Sequence, residues 1–258
     1  MNASLGQYVM ADPTDTTMLE LAYQPIVSLQ DEGHSPIAFE SLLRVRMNGA
    51  LTGPVDFLRT AEADGSIVAV DQWVLAQVIK LAQVRPNLTT WINASQISIA
   101  HPQFLIRAVS SLIESRTLGR VTFEITETAD IHHNILSKRL RAIKTGAFTC
   151  VIDDLRDGFA KRQLLGERYI AGCKLSRETT VEMGKSVRVR EEVQELARIC
   201  RSLGKRLVLE GIENQNELEL AHALNIQFAQ GYFFGRPAAP EDLVQHLQMR
   251  NVAMDATN

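Results

Sequence analysis

Among its 258 residues the chain has only three cysteines, Cys150, Cys173 and Cys200, and no CxxC spacing. Each lies in an apolar stretch, where a free Cys behaves as a small core residue, so a disulfide framework and a thiolate metal site are not expected. A reducing cytoplasmic setting fits. An excess of charge is missing too: a net charge of -3 and a pI near 6.1 give no global attraction to a polyanion. A surface for DNA or RNA duplexes is therefore not expected, and a phosphate-bearing ligand would need local cations or metals. No stretch approaches the roughly 18 consecutive apolar residues that cross a bilayer. The opening MNASLGQYVMADPTDTTM lacks the basic start and apolar core of a signal peptide. The expectation is a soluble chain without a membrane segment.

Several catalytic patterns are absent. His34, His101, His132, His133, His222 and His246 include no pair at the spacing of a catalytic zinc site. No GxSxG elbow or Walker loop occurs, and Cys150 and Cys173 lie mid-strand, so a nucleophilic triad has no support. Neither a linker nor an internal repeat is visible.

What is present is the balance of a globular core, 45% hydrophobic and 22% charged. Short apolar strands are expected near 21–29, 37–45, 91–95, 121–126, 148–153, 171–175, 206–210 and 227–230. From the third onward they alternate with helical spacing in PQFLIRAVSSLIES, ILSKRLRAIKTG, REEVQELARICRSLG and NELELAHALN, which implies a parallel sheet. The first two are joined only by QDEGHSP, too short for a crossover helix, so that pair is expected to be antiparallel. Between 54 and 83 two helices are expected, opened by Pro54 and divided at Asp64-Gly65. These elements suit a modified TIM-type (β/α)₈ barrel with an antiparallel first strand, a fold that occupies roughly 250 residues as one domain. Its expected bounds are 19–250, with an N-terminal extension over 1–18 and a frayed end over 251–258.

In such a barrel reactive groups gather where strands end. Those positions are unusually acidic: Glu40 in IAFESLLR, Asn93 in TWINAS, Glu124 and Glu127 in VTFEITET, Asp153 and Asp154 in FTCVIDD, and Glu210 in RLVLEGIE. Lys174 and Gln230 accompany them. Any one acid reads most simply as a solvated loop residue or a cap, but so many at one rim repel unless cations neutralise them. Carboxylates with one amide suit Mg²⁺ or Mn²⁺. Asp153 and Asp154 are neighbours and face opposite ways in a strand, so both serve one centre only if the chain turns at once. The alternative is an Asx-type turn in which one of them bonds its own backbone. Lys174 reads either as an ion-pair partner of the acids or as the cation that orients a water. Arg44 reads as a phosphate ligand or as a structural ion pair.

The ordered motifs resemble the EAL-domain family of cyclic di-GMP phosphodiesterases. YQPIVSL, FESLLR, INAS, EITE, IDDL, CKLS, LEGIE and QGYFFGRP match in order from Tyr23 to Pro237. The resemblance implies hydrolysis of cyclic di-GMP to linear pGpG with two divalent cations, Mg²⁺ or Mn²⁺. It places Glu40, Asn93, Glu124, Asp153, Asp154 and Glu210 around the metals, with Lys174 positioning the nucleophilic water. It implies that Glu127 braces the loop after the paired aspartates, and that Gln230 and Glu213 support the site from outside. Gln24, Glu40, Arg44, Asp71, Phe234 and Pro237 match ligand-pocket positions. A homodimer and an upstream sensor or regulatory protein are implied in the same way.

The chain departs from the family pattern at three places. Ser41 replaces Ala in the signature triplet, and Ser176 replaces an Asp two residues after the lysine. The loop DDFGTGYSS reads DDLRDGFAK, with Leu155, Arg156 and Asp157 for Phe, Gly and Thr and only Gly158 kept. Intact acids favour an enzyme, whereas the changed loop favours a cyclic di-GMP receptor or protein-interaction module.

Overall fold

The computed structural model describes residues 17–47, 49–125, 148–155 and 164–243. Strands β1 (Met18–Ser28) and β2 (Pro36–Met47) form a long antiparallel pair, and the short β3 (Ala50–Thr52) folds back on the end of β2. Helices α1 (Val55–Asp64) and α2 (Ile67–Val84) lead to β4 (Thr90–Ala94), and α3 (Gln96–Ala100) and α4 (Pro102–Glu114) lead to β5 (Val121–Ile125). Next come β6 (Thr149–Ile152), β7 (Ile170–Leu175), α5 (Arg177–Met183), α6 (Val187–Ser202) and β8 (Arg206–Leu209). Helix α7 (Gln215–Ala223) and β9 (Phe228–Gln230) follow.

The sheet runs β1-β9-β8-β7-β6-β5-β4-β2-β3, and the β1–β2 pairing closes it into a mixed barrel with β3 outside the ring. β1 is antiparallel to both of its neighbours, β2 and β9, while β2 and β4 to β9 are mutually parallel. The antiparallel first strand expected from the short QDEGHSP connection is therefore present. β3, α3 and α5 were not anticipated from periodicity, because elements of three to seven residues are too short to display it. The segment ILSKRLRAIKTG lies outside the described residues.

Period-two alternation sets up the site. Ile26, Ala38, Trp91, Val151 and Val208 form an apolar layer inside the barrel, with Phe228 packed on it. Side chains two residues further along a strand share the same face, and the fold's packed interior is built in such layers. The next inward positions are thus Glu40, Asn93, Asp153, Glu210 and Gln230, with Gln24 contributed by the reversed β1. The outward set includes Phe39, Ile92, Phe123, Ile152, Cys173, Leu207 and Ala229, buried in the larger core beneath the helices.

The helices present matching stripes. Phe104, Leu105, Ala108 and Leu112 are the buried residues of α4, and Val193, Leu196, Ala197 and Cys200 those of α6. Pro102 begins α4 at a position where a missing N–H is harmless. Gly65 ends α1 in the left-handed region (φ 81°), which divides α1 from α2 at the expected point. By length and composition α2 could cross a membrane, with a mean hydropathy of 1.3 over 18 residues, but half of it is buried inside the protein. Asp71, Gln72, Gln77 and Lys80 interrupt it, so no uninterrupted apolar run appears in the sequence.

Candidate functional site

At the rim where the parallel strands end, Lys174 is the hub. Its Nζ lies 2.9 Å from Glu40 Oε2 and 2.8 Å from Glu124 Oε2, and it also pairs with Glu210 Oε1. The Lys174 and Glu124 side chains are sealed from solvent, whereas the Glu210 side chain keeps 26% exposure and faces the opening. Asn93 Nδ2 donates to Glu40 Oε1 at 2.9 Å, and Gln230 Nε2 donates to Glu40 Oε2 at 2.7 Å and to Gln24 Oε1 at 3.0 Å. Gln24 in turn donates to the Gly235 carbonyl at 3.1 Å. Contributed by β1, β2, β4, β5, β7, β9 and the end of β8, these groups form one continuous polar cluster.

Its charge balance is lopsided. Burial opposes the Lys174 charge, yet Glu124, Glu210, Glu40 and Asp153 outweigh it and hold the ammonium well above the ordinary lysine range. Burial also opposes ionisation of Glu40, but the Lys174 charge and hydrogen bonds from Lys174, Asn93 and Gln230 keep its carboxyl below the usual value. The other acids go up. Burial and the charge of Glu40 push Glu124 well above the carboxylate range against the pull of Lys174. Burial likewise raises Asp153, again opposed by Lys174. Glu210 rises to about 7, through burial first, with Glu40 and Asp153 adding to it and Lys174 opposing. A single cation is therefore shared by more acids than it can neutralise.

Beside the cluster opens a cavity of about 290 Å³, lined among others by Gln24, Glu40, Asp153, Lys174, Glu210 and Gln230. Gly231 closes one wall, where a Cβ would meet the Ile212 carbonyl oxygen at 2.0 Å. Arg177 and Tyr232 also line it and were missed by sequence reasoning, since each looks like an ordinary surface residue beside a motif. Arg177 Nη2 is 2.8 Å from Glu213 Oε2, and the Arg236 guanidinium lies 4.2 Å over the Tyr232 ring. Glu213 is accordingly held at the rim by Arg177, and its own N–H donates to Glu217 at 2.7 Å.

The paired aspartates diverge. The chain turns immediately after β6, with Asp154 in the left-handed region (φ 44°) and its N–H donating to Asp153 Oδ1 at 3.0 Å. Asp153 points into the cavity, whereas Asp154 is exposed and is not among the cavity-lining residues. The chain thus turns sharply at the paired aspartates and carries a local aspartate-to-backbone bond, with Asp153 but not Asp154 lining the cavity. Leu155 is buried, and its N–H donates to the carbonyl of Lys174 at 3.0 Å. Glu127, Arg156, Asp157 and Gly158 lie outside the described residues.

The remaining candidates are not among the residues lining this cavity. Asp71 on α2 is buried and accepts the N–H of Ser95 at 2.9 Å, directly after β4, and Ser95 Oγ donates to Glu62 at 3.0 Å. Burial, with Glu62 adding, raises its carboxyl to about 7 against hydrogen bonds from Ser98 and Ser95. Arg44 shares the Glu40 face of β2, and its Nη1 donates to the Leu43 carbonyl at 2.9 Å. Phe234 meets His34 edge-on at 5.3 Å and Phe233 at 5.4 Å, and Pro237 precedes the Ala238 bridge to Tyr23.

No group of three or more His, Cys, Asp and Glu side chains stands ready to hold a metal ion among the described residues. The physical reason is Lys174, whose ammonium occupies the space between Glu40, Glu124 and Glu210. The donor chemistry nevertheless fits a hard cation: carboxylate oxygens and an amide, with Glu124 Oε1 buried and lacking a hydrogen-bond partner.

The mixed barrel carries its acid-and-lysine cluster at the strand ends, where barrels of this kind gather their reactive groups. The profile of the EAL domain matches residues 14–237, so the chain belongs to the EAL-domain family. It is 28% identical over 85% of its length to the cyclic di-GMP phosphodiesterase NbdA of Pseudomonas aeruginosa, and 28% identical over 88% to the cyclic di-GMP phosphodiesterase PA2567 of the same organism. It spans 29% and 40% of those two proteins, well under half of each. Among solved structures it resembles the PaMucR phosphodiesterase in complex with c-di-GMP, with a TM-score of 0.75, 25% identity and coverage of 87% of this chain and 94% of that one. An EAL-domain protein from Listeria monocytogenes shares the fold with a TM-score of 0.78 and 23% identity, covering 88% of this chain and 91% of that one.

Proposed function

We propose that this chain hydrolyses cyclic di-GMP to linear pGpG with the help of two divalent cations, Mg²⁺ or Mn²⁺. The observation that carries the reading is the excess of carboxylates over cations around Lys174, at the mouth of a cavity beside the strand ends. Glu40, Asn93, Glu124 and Asp153, with Asp154 and Glu210 at the edge, would hold the ions, which when bound would supply Lewis-acid activation of water and of the phosphate.

The chain's own residues divide the remaining work. Lys174 stays protonated at neutral pH, so it serves as a donor and a positive charge, orienting the attacking water, and not as the base. Glu210, raised to about 7 in the metal-free protein and facing the opening, would hold a cation or orient the attacking water. Gln230 holds Glu40 in place and is itself held by Gln24. Arg44, Asp71, Phe234 and Pro237 are assigned to the nucleotide pocket, with Glu213 supporting the rim through Arg177 and Glu127 bracing the loop after Asp154.

Incubation of the purified chain with cyclic di-GMP and Mn²⁺, followed by chromatography, tests the reading: pGpG is expected. A second reading rests on Asp154, which is exposed and outside the cavity. On that reading the chain is a cyclic di-GMP receptor or interaction module, and the same incubation gives binding without product. A homodimer and an upstream sensor or regulatory partner complete the proposal, which places the domain at 19–250 in a cytoplasmic signalling protein.

A further inference from the structure

Cys173 and Cys200 bring their sulfurs within 3.8 Å of each other, although 27 residues separate them. Strand alternation turns Cys173 outward from β7, away from the face of Lys174, and Cys200 is the last buried position of the α6 stripe. The two side chains meet where the helix packs on the barrel, and both thiols are closed to solvent. Bulky disulfides cannot reach them, but a molecule as small as a peroxide can enter through local opening of the helix.

The surroundings differ on the two sides of the pair. The hydrogen bond from Cys173 lowers the Cys200 thiol, burial opposes this, and Arg201 and Lys205 add to the lowering. The same bond, with burial, holds Cys173 well above the ordinary range. Cys200 is thus the sulfur favoured as a thiolate nucleophile.

We propose that Cys173 and Cys200 form an oxidisable thiol pair that closes to an intramolecular disulfide with hydrogen peroxide as oxidant. The Cys200 thiolate attacks one peroxide oxygen, the O–O bond breaks, and the leaving hydroxide takes a proton to become water. The Cys173 sulfur then attacks the resulting Cys200 sulfenic sulfur; the S–S bond forms, the S–O bond breaks, and the hydroxyl leaves as water with the Cys173 proton. Two thiols and one peroxide give one disulfide and two waters. The sulfurs must close from 3.8 Å to the roughly 2.0 Å of a disulfide, a displacement within reach of a small shift of α6 on β7. Cys150, on β6, has burial alone acting on it and is raised, which makes it an internal reference.

The test treats the full folded chain with hydrogen peroxide until a matched glutathione control is consumed. The peroxide is then removed, the chain is denatured and alkylated, and peptides are read by mass spectrometry. Expected are alkylation of one of the three cysteines, Cys150, and a cross-linked pair of peptides carrying Cys173 and Cys200. A Cys173→Ala variant should trap a dimedone-reactive sulfenic acid at Cys200, and Cys150→Ala should still give the cross-link. Full alkylation of all three cysteines in the treated native chain, a link that joins two chains, or a link involving Cys150 would each overturn the proposal.

Discussion

Lys174 Nζ stands 2.8 Å from Glu124 Oε2 with both side chains closed to solvent, so the buried ammonium has this carboxyl as an acceptor and Glu40, held ionised 2.9 Å away, as its counter-charge. Glu124 has a second partner neither in Asn93 nor in Gln230, which both serve Glu40. Removing the ammonium leaves Glu124, Glu40 and Glu210 facing one another. Lys174→Met should therefore destabilise the metal-free chain by about 3–5 kcal/mol at neutral pH, the usual cost of leaving a buried charge unpaired. Added Mn²⁺ should restore much of the melting temperature while leaving hydrolysis low, and cyclic di-GMP affinity should fall far less than turnover. Thermal melts with and without Mn²⁺ and a pGpG assay provide the readouts. A variant melting like the parent in both conditions would show that Lys174 does not anchor the cluster.

Cation binding should release protons. Glu124, Asp153 and Glu210 all have raised carboxyl pKa values in the metal-free protein, Glu210 at about 7. A raised acid stabilises the fold fully below its unfolded value, and that contribution disappears as pH rises through the folded one. The metal-free chain should thus lose stability between about pH 4.5 and 7, and bound cations, which need deprotonated ligands, should raise the melting temperature more at pH 8 than at pH 6. Calorimetry in two buffers of different ionisation enthalpy measures the proton release. Asp153→Asn should reduce both the release and the affinity; unchanged binding in that variant would sink the assigned ligand set.

Asp71 allows a pH test away from the cluster. Its carboxyl is raised to about 7 by burial, so its contribution to stability is present below the unfolded value near 3.8 and lost as pH approaches 7. The loss is on the order of 4 kcal/mol. Asp71→Asn keeps an acceptor for the Ser95 N–H but cannot ionise. Its melting temperature relative to the parent should climb from pH 4.5 to pH 7 and level off above pH 8. A difference that does not change with pH would mean that Asp71 ionises freely in the folded chain.

Much of this was legible in the sequence, for reasons that can be named. The antiparallel β1–β2 pair followed from a connection too short to cross over, and the division at Gly65 followed from glycine's access to positive φ. Asn93, Glu124 and Glu210 were recognised as strand-end residues, whereas Glu40, expected with them, lies within the longer β2, and the structure brings Glu40, Glu124 and Glu210 onto one ammonium. What composition and spacing could not give was direction. Nothing in IDDL says that Asp153 faces the cavity and Asp154 faces out, because that depends on a single left-handed residue. Nor does CKLS show that Lys174 sits among the acids as their counterion, which depends on closure of the barrel. Tyr232 and Arg177 stayed hidden because their positions depend on neighbouring loops and not on strand alternation.

The departure at the loop gives the last expectation. Leu155 takes the place of the family's Phe, is buried in the core, and ties the start of the loop to the carbonyl of Lys174 at 3.0 Å. The loop and the lysine therefore share a backbone bond, so a change in one can move the other. Arg156 and Asp157 follow where the family has Gly and Thr, and Gly permits backbone angles that Arg adopts only with strain. Replacing Leu155, Arg156 and Asp157 together with Phe, Gly and Thr should raise hydrolysis of cyclic di-GMP while leaving its affinity nearly unchanged, since the acids stay in place. Positioning errors of about 1 Å can cost roughly 10²-fold in rate, which sets the scale of the gain. Phe at 155 adds volume to a filled core and should cost about 1–3 kcal/mol of stability, so the melt is measured alongside. Glu127→Ala in the restored chain should lower turnover again if Glu127 braces the loop. Restored chain that binds cyclic di-GMP yet yields no pGpG would favour the receptor reading, whereas appreciable turnover in the parent would show that DDLRDG is already compatible with catalysis.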